Sequence, residues 1–223
     1  PYEPITRPQS DEYLWINSFL NQVGYNSTSS YFDDLSRWND DRRKAANAHW
    51  AFTVFVADSL ADVDGMFSDS YFAYAYLGGP FMVMTYDNDG WGIGRMGHVT
   101  AHETGHIFYA LDEYPESNTY TDRSGYYNTQ NLNASDGHPN PGSRVASMMA
   151  ESGLQLTAFA NHTSSPTSLQ MMGWQDSDGD GVFDVLDVPL TLTGSGGAGK
   201  TRLALEIAGR LAAEFADGVW TVE

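Results

Sequence analysis

The chain has 223 residues and a formal net charge of −18, with 29 acidic against 11 basic side chains. This imbalance argues against nucleic acid and anionic membranes as partners, because both attract clustered Lys and Arg. Cysteine is absent, which excludes disulfides, thiolate metal sites and cysteine nucleophiles, so a zinc ion would need His and carboxylate ligands.

The first part of the chain predicts two helices followed by three strands. Apolar residues recur at helical spacing in the first stretch. In the second, Asp33 or Asp34 is the expected N-cap, and the basic cluster at 42–44 suits the C-terminal half of a helix. The helices are expected at residues 11–23 and 32–48. Aromatic and β-branched runs then indicate strands, the last two separated by a Gly-Gly-Pro turn. The strands are expected at residues 50–57, 71–77 and 81–86.

The remaining chain predicts one clear helix and much irregular structure. The helix is expected at about 96–111, after an acidic turn. Residues 112–143 are rich in Tyr, Asn, Ser, Gly and Pro, which indicates a long irregular segment, and loops of this length are usually functional or metal-bound. A helical or mixed stretch then extends to about Trp174, before two loop motifs at 176–187 and 194–201.

The predicted helix at 96–111 contains the motif His102-Glu103-Thr104-Gly105-His106. Two histidines at positions i and i+4 lie on one helix face, so both imidazoles can reach one zinc ion. Glu103 is the expected general base, acting on a zinc-bound water whose pKa the metal lowers to about 7. The alternative is a surface helix that carries these residues by chance. The predicted strand and turn before the motif, and apolar residues in the same helix, favour the zinc site.

The chain from His102 to Asp112 resembles the metzincin zinc-peptidase pattern HExxHxxGxxH, in the variant that ends in Asp. It is also similar to the IgA-peptidase and snapalysin-type groups. The resemblance implies Asp112 as the third zinc ligand, with Glu113 as the alternative. Tyr109 stands where the metzincin pattern has a Gly that lets the chain turn sharply. His98, one turn before His102, is expected to be a supporting or surface group.

The resemblance covers about residues 48–174 and implies further features. A methionine turn would lie beneath the zinc ion with Met149 as its methionine, and the alternative is an ordinary core methionine. Residues 78–85 resemble the edge strand that binds an extended substrate by β-augmentation. Tyr109 and Tyr114 are candidates to stabilise the oxyanion.

Residues 176–187 follow the twelve-residue spacing of a calcium-binding loop, with Gly181 at the sharp turn. The expected ligands are the carboxylates of Asp176, Asp178, Asp180, Asp184 and Asp187 and the carbonyl of Val182. The loop resembles isolated Asp-rich loops of secreted bacterial proteins, including dockerin-like modules, which implies a structural calcium ion rather than a sensor. The alternative is an acidic, solvated turn.

Residues 194–201 match the phosphate-loop pattern GxxxxGK[ST], between an apolar strand and a predicted helix. Backbone N–H groups with the Lys and Thr would hold the phosphates of ATP and a Mg²⁺ ion. The candidate residues are Gly194, Gly199, Lys200 and Thr201. The segment 190–223 resembles the start of the ATPase domain in large bacterial transcriptional regulators. An ordinary Gly-rich turn is the alternative, and ATP hydrolysis is not expected because no Walker-B Asp follows.

Together these patterns predict an α+β protein with three segments. They are a metallopeptidase domain at 1–174, a calcium-binding loop at 175–188 and a partial P-loop segment at 189–223. The first is expected to be metzincin-like, with a mixed twisted sheet and an active-site helix, and to cleave protein or peptide substrates. The alternatives are an ATP-binding regulator fragment and a non-catalytic, metal-stabilised binding module. The resemblance and the absence of cysteine favour a secreted, bacterial-type protein, and no signal peptide is expected in this chain.

Overall fold

The structure, a computed structural model, describes residues 4–87 and 91–186. The chain divides into two compact units, Pro1–Val185 and Leu186–Glu223, and the described residues give the first unit an α+β fold. Its helices are α1 (Glu12–Val23), α2 (Tyr31–Ala45), α3 (Met96–Ile107), α4 (Ser152–Asn161) and α5 (Pro166–Met171). Its strands are β1 (Thr53–Ala57), β2 (Ala73–Ala75), β3 (Phe81–Thr85), β4 (Arg123–Ser124) and β5 (Thr129–Gln130). No described helix is long and apolar enough to cross a membrane.

The two N-terminal helices form where the sequence predicts them, but the cap of α2 differs. α1 is confirmed to within a residue, and α2 ends at Ala45 rather than near residue 48. Ser30 is the N-cap of α2, because its backbone is extended and its side chain accepts a hydrogen bond from the Asp33 N–H. The predicted cap at Asp33 or Asp34 is therefore wrong. Both residues lie in the first turn, where negative charge suits the positive end of the helix dipole.

β3 is the central strand of a three-stranded sheet, between β1 and β2. It pairs parallel with β1, with Thr53 opposite Phe81, and antiparallel with β2, with Ala73 opposite Met84. All five residues of β3 are buried, as expected for an apolar strand covered on both faces. The prediction that residues 78–85 form the edge strand is wrong, because β3 has a hydrogen-bonded strand on each side. The antiparallel edge strand is β2.

Helices cover both faces of this sheet, so alternate residues of β3 enter two different cores. Phe81 and Val83 pack with α1 and α2 in a core rich in edge-to-face aromatic contacts. Met82 faces the opposite core, which holds α3 against the sheet. The buried residues of that core are Met82, Ile107, Phe108, Ala110, Met149 and Met172. The packing therefore fixes the helix that contains the motif at 102–106.

Residues 108–151 carry little regular structure, which confirms the predicted long irregular segment. The segment contains the short β4–β5 pair and one 3-10 turn. Side chains satisfy backbone groups that a helix or sheet would otherwise pair. Asn131 donates to the carbonyl of Asp112, and Arg144 donates to the carbonyl of Glu113. The segment is therefore fixed by specific hydrogen bonds close to the motif.

Candidate metal centre

Two histidines of α3 direct their Nε2 atoms into a common space. The ring centroids of His102 and His106 are 5.0 Å apart. Nδ1 of His102 is 2.9 Å from the Met148 carbonyl oxygen, and Nδ1 of His106 is 2.8 Å from the Ala110 carbonyl oxygen. In the neutral form each ring therefore carries its proton on Nδ1, donates it to a carbonyl, and presents a lone pair at Nε2 for a metal ion.

The motif helix ends at Ile107, earlier than the predicted end at residue 111, because the chain turns at Tyr109. Tyr109 has a φ of +69°, the left-handed conformation that glycine adopts most easily. The Ala110 N–H donates to the Gly105 carbonyl across this turn, at 2.9 Å. A non-glycine residue pays on the order of 1 kcal/mol for this conformation, which the surrounding hydrogen bonds offset.

The turn at Tyr109 brings Asp112 to the two histidines. Its Oδ1 atom lies 3.1 Å from Nε2 of His102 and 3.2 Å from Nε2 of His106. Neighbouring ligands of a tetrahedral zinc ion with bonds of about 2.0–2.1 Å are about 3.3 Å apart, so these separations fit zinc. Oδ1 is also buried without a hydrogen bond of good geometry, which a metal ion would compensate. The three residues together form a group that could hold a metal ion.

The carboxylates around this group favour positive charge at its centre. Burial opposes ionisation of Asp112, yet the two imidazoles beside it hold the pKa of its carboxyl well below the usual range. Burial likewise opposes protonation of His102, but Asp112 and Glu103 raise the pKa of that imidazole to about 9. The group therefore stabilises a positive charge, whether an imidazolium or a metal ion carries it.

Glu103 projects from α3 into an open cleft beside the histidines. Its side chain is only 6% exposed, and its Oε2 atom has no hydrogen-bond partner. Burial raises the pKa of its carboxyl. The cleft has a volume of about 470 Å³, and its lining includes Phe72, Ala73, Trp91, Val99, His102, Glu103, Tyr114 and Gln155. A carboxyl group with a raised pKa in such a cleft is suited to accept and return a proton.

Two other residues singled out by the sequence lie apart from the metal group. Glu113, the alternative third ligand, is fully buried, and its carboxylate accepts three hydrogen bonds from neutral side chains. His98 stacks on Phe159, with ring centroids 3.8 Å apart. In this geometry the carboxylate that joins the histidines is that of Asp112.

Met149 lies directly beneath α3 and is fully buried. A β-carbon on Gly105 would overlap the Met149 Sδ atom, so a larger residue at 105 would displace the methionine side chain. The turn at residues 147–150, which contains Met149, contacts both segments that carry the candidate ligands. The Met148 carbonyl accepts from His102, and the Met149 carbonyl accepts from the Glu113 N–H at 2.8 Å. The turn therefore fixes the helix and the Asp112 segment relative to each other.

The structure separates the two tyrosines that were candidates to stabilise an oxyanion. Tyr114 lines the cleft, with its ring centroid 6.1 Å from that of His102. Burial raises the pKa of Tyr114, so its hydroxyl keeps its proton at neutral pH. The Tyr109 ring instead packs against Gly78 and Tyr126, among residues that line no part of the cleft. Of the two, Tyr114 is the one positioned near the candidate metal group.

Sequence reasoning missed the residues that hold the peptide groups of Asp112. Its N–H donates to the Asn118 side chain at 3.1 Å, and its carbonyl accepts from the Asn131 side chain at 2.8 Å. Arg144 contacts the same segment and pairs with Glu151 at the edge of the cleft, at 2.5 Å. The abundance of Asn in the irregular segment was a signal, because Asn side chains commonly satisfy backbone groups in loops.

The acidic loop brings together three of its predicted ligands. Carboxylate oxygens that lie within 4.8 Å of one another belong to Asp176, Asp178 and Asp180. Asp184 does not join them, because its carboxylate accepts from the Ser177 N–H at 2.8 Å and from the Ser177 hydroxyl. The Val182 N–H donates to Asp180 at 2.8 Å. The remaining predicted ligand, Asp187, lies outside the described residues.

The predicted phosphate loop also lies outside the described residues, with its candidate residues Gly194, Gly199, Lys200 and Thr201. Scans against models of known protein families, the curated proteins and the solved structures give no match to this chain.

Proposed function

We propose that the chain contains a zinc-dependent endopeptidase with a metzincin-like fold. The observation that carries this proposal is the convergence of two imidazole Nε2 atoms and one carboxylate oxygen, at separations of 3.1 and 3.2 Å, beside Glu103 in an open cleft. His102, His106 and Asp112 would hold the zinc ion. Three protein ligands leave one coordination position open, which is typical of catalytic rather than structural zinc sites.

Bound zinc would polarise the scissile carbonyl and lower the pKa of water at the site to about 7. Glu103 accepts a proton from the attacking water while the water oxygen bonds to the carbonyl carbon. The same carboxyl then donates that proton to the amide nitrogen, the C–N bond breaks, and an amine and a carboxylic acid leave. The buried position of Glu103 and the unpartnered Oε2 support this role as proton carrier.

The edge strand β2 supports an extended peptide as the substrate. Phe72 and Ala73 line the cleft, and within the described residues β2 has a strand partner on one side alone, so its other edge can pair. An extended chain adds to such an edge through main-chain hydrogen bonds. Trp91 and Val99 make the adjoining cleft apolar, which favours an apolar side chain next to the cleaved bond.

The test is cleavage of an unfolded protein by the zinc-loaded chain and by its Glu103→Gln variant. Gln keeps the shape of the side chain and all three ligands but cannot accept the proton. We expect unchanged zinc content and a fall in kcat of about 10²–10⁴-fold. A chelator should abolish the activity of the parent, and added zinc should restore it.

A zinc-containing parent without peptidase activity would refute the proposed reaction. The site would then be that of a non-catalytic, metal-stabilised binding module. Equal activity in the parent and in Glu103→Gln would also contradict the proposal, since the proposed mechanism depends on proton transfer through this carboxyl group.

We propose further that the acidic loop binds a structural calcium ion. The three clustered carboxylates supply the hard oxygen ligands that calcium prefers. Phe183 of this loop stacks on Trp174, with ring centroids 6.1 Å apart, and Trp174 contacts Phe108 at the end of α3 at 5.7 Å. An ordered loop would therefore support the end of the motif helix. The nucleotide site at 194–201 and the secreted setting stay predictions from the sequence.

A further inference from the structure

The carboxylate of Glu113 is the most completely hydrogen-bonded acidic group near the candidate metal centre. Its Oε1 atom accepts from the hydroxyls of Ser165 and Ser168, each at 2.6 Å, and its Oε2 atom accepts from the Asn133 side chain at 2.6 Å. The side chain has no solvent exposure. The two oxygen atoms of this carboxyl group thus take part in three short hydrogen bonds. Glu113 is therefore held in one position by residues distant in the sequence.

The backbone of Glu113 is fixed as firmly as its side chain. Its N–H donates to the Met149 carbonyl at 2.8 Å, and its carbonyl accepts from the Ser135 N–H at 2.8 Å and from Arg144 at 2.7 Å. The residue thus connects α5, the irregular segment and the methionine turn at one point. None of these contacts involves the metal group directly.

The contacts of Glu113 matter because Asp112 is the preceding residue. The peptide group that joins them is bonded on both sides, through the Asp112 carbonyl to Asn131 and through the Glu113 N–H to Met149. The neighbouring carbonyl, that of Met148, accepts from His102. A displacement of Glu113 would therefore move the Asp112 carboxylate relative to the histidine beside it.

We propose that Glu113 is a positioning residue, whose buried carboxylate sets the place of Asp112 among the candidate zinc ligands. This inference rests on the zinc site of the proposed function, but not on its peptidase activity. Residues that orient metal ligands typically change metal affinity or activity by about 10–100-fold when removed. Glu113 would act through Asp112, without touching the metal or the substrate.

The surroundings of Glu113 predict how a conservative substitution behaves. The Asn133 side chain cannot turn over, because its nitrogen also donates to the Val145 carbonyl and its oxygen accepts from the Val145 N–H at 2.8 Å. In Glu113→Gln the amide oxygen would face Asn133, and the amide nitrogen would face the hydroxyls of Ser165 and Ser168, which can rotate to accept. Glu113→Gln should therefore keep much of the arrangement, whereas Glu113→Ala should lose it.

Zinc affinity and the visible spectrum of the cobalt-substituted full chain test the proposal. We expect Glu113→Ala to weaken zinc binding about 10–100-fold and to change the cobalt spectrum. Glu113→Gln should lie between Glu113→Ala and the parent. Ser168→Ala, which removes one of the three hydrogen bonds, should shift both readouts in the same direction by a smaller amount.

Glu12→Gln is the matched control, because Glu12 is also a buried carboxylate that accepts two hydroxyl hydrogen bonds, from Tyr31 and Tyr76. It should lower thermal stability and leave zinc affinity and the cobalt spectrum unchanged. Parent-like affinity and spectrum in Glu113→Ala, or in Ser168→Ala if the former does not fold, would overturn the proposal. A parent that binds zinc without cleaving peptides would refute the peptidase alone, and the affinity comparison would still decide the role of Glu113.

Discussion

The contact between Gly105 and Met149 predicts that Gly105→Ala destabilises the parent protein but stabilises a variant that lacks the Met149 side chain. An alanine β-carbon at Gly105 would overlap the Met149 Sδ atom and lie 3.1 Å from its Cε atom. Met149 belongs to the buried core beneath α3, so moving its side chain aside would disturb that packing. Gly105→Ala therefore combines a gain in helix propensity with a clash in the core.

The gain in helix propensity and the clash with Met149 act in opposite directions on the free energy of unfolding. Replacing Gly by Ala inside a helix stabilises by about 1 kcal/mol, whereas overpacking a core costs about 1–3 kcal/mol. Gly105→Ala should therefore lower the free energy of unfolding of the parent, by up to about 2 kcal/mol. Met149→Ala alone should cost about 2–5 kcal/mol. In that background the clash is gone, so adding Gly105→Ala should stabilise by about 1 kcal/mol.

Chemical denaturation of the parent, both single variants and the double variant, all in chelator, measures these free energies. Gly153→Ala in α4 is the control, because a β-carbon there meets nothing within 4 Å and only the gain in propensity should appear. Additive effects of the two substitutions, to within about 0.5 kcal/mol, would refute the packing of Met149 beneath the motif helix.

Three further predictions concern the cleft, the aromatic core and the acidic loop. Tyr114→Phe should lower kcat about 10²-fold with unchanged zinc content, as expected for loss of one oxyanion donor, and Tyr109→Phe should match the parent in the same peptidase assay. Burial and hydrogen bonds to Glu12 raise the pKa of Tyr31 and Tyr76, whereas unfolded tyrosines lose their protons near pH 10. The free energy of unfolding should therefore fall as pH rises above about 10, and it should fall less in Tyr76→Phe. An equal fall in the parent and in the variant would show that the raised pKa of Tyr76 is not its cause. Added calcium should raise the Tm of the parent more than the Tm of Asp178→Asn. An equal rise in the two proteins would exclude the acidic loop as the calcium site.

Local patterns predicted the parts of the fold and site that depend on local spacing. Helical periodicity placed α1 and the start of α3, and the i, i+4 spacing of His102 and His106 is enough to direct both imidazoles to one place. Asp112 follows close behind on the chain, so a single turn brings it to them. These relations need no information from distant residues.

The error in the sheet came where distant segments decide the outcome, whereas the missed cap of α2 and the early end of α3 are local. The apolar run at 81–85 was itself typical of a central strand, but its order in the sheet depends on partners far along the chain. The proposed role of Glu113 was equally hidden, because its hydrogen-bond donors Ser165 and Ser168 lie at the start of α5, far along the chain. Helix α3 ends early because Tyr109 adopts a conformation that its residue type disfavours.

All three candidate ligands fall between residues 102 and 112, yet most of the groups that orient them lie later in the chain, at Asn118, Asn131 and Met148. A peptide covering 96–114 would contain every ligand, but its twelve-residue helix would be marginal in water and would lack the Met148 carbonyl that orients His102. Tight metal binding in this chain should therefore appear only when the later segments have folded against the helix. A metal titration would then report on the folding of the chain beyond residue 131 as directly as on the ligands themselves.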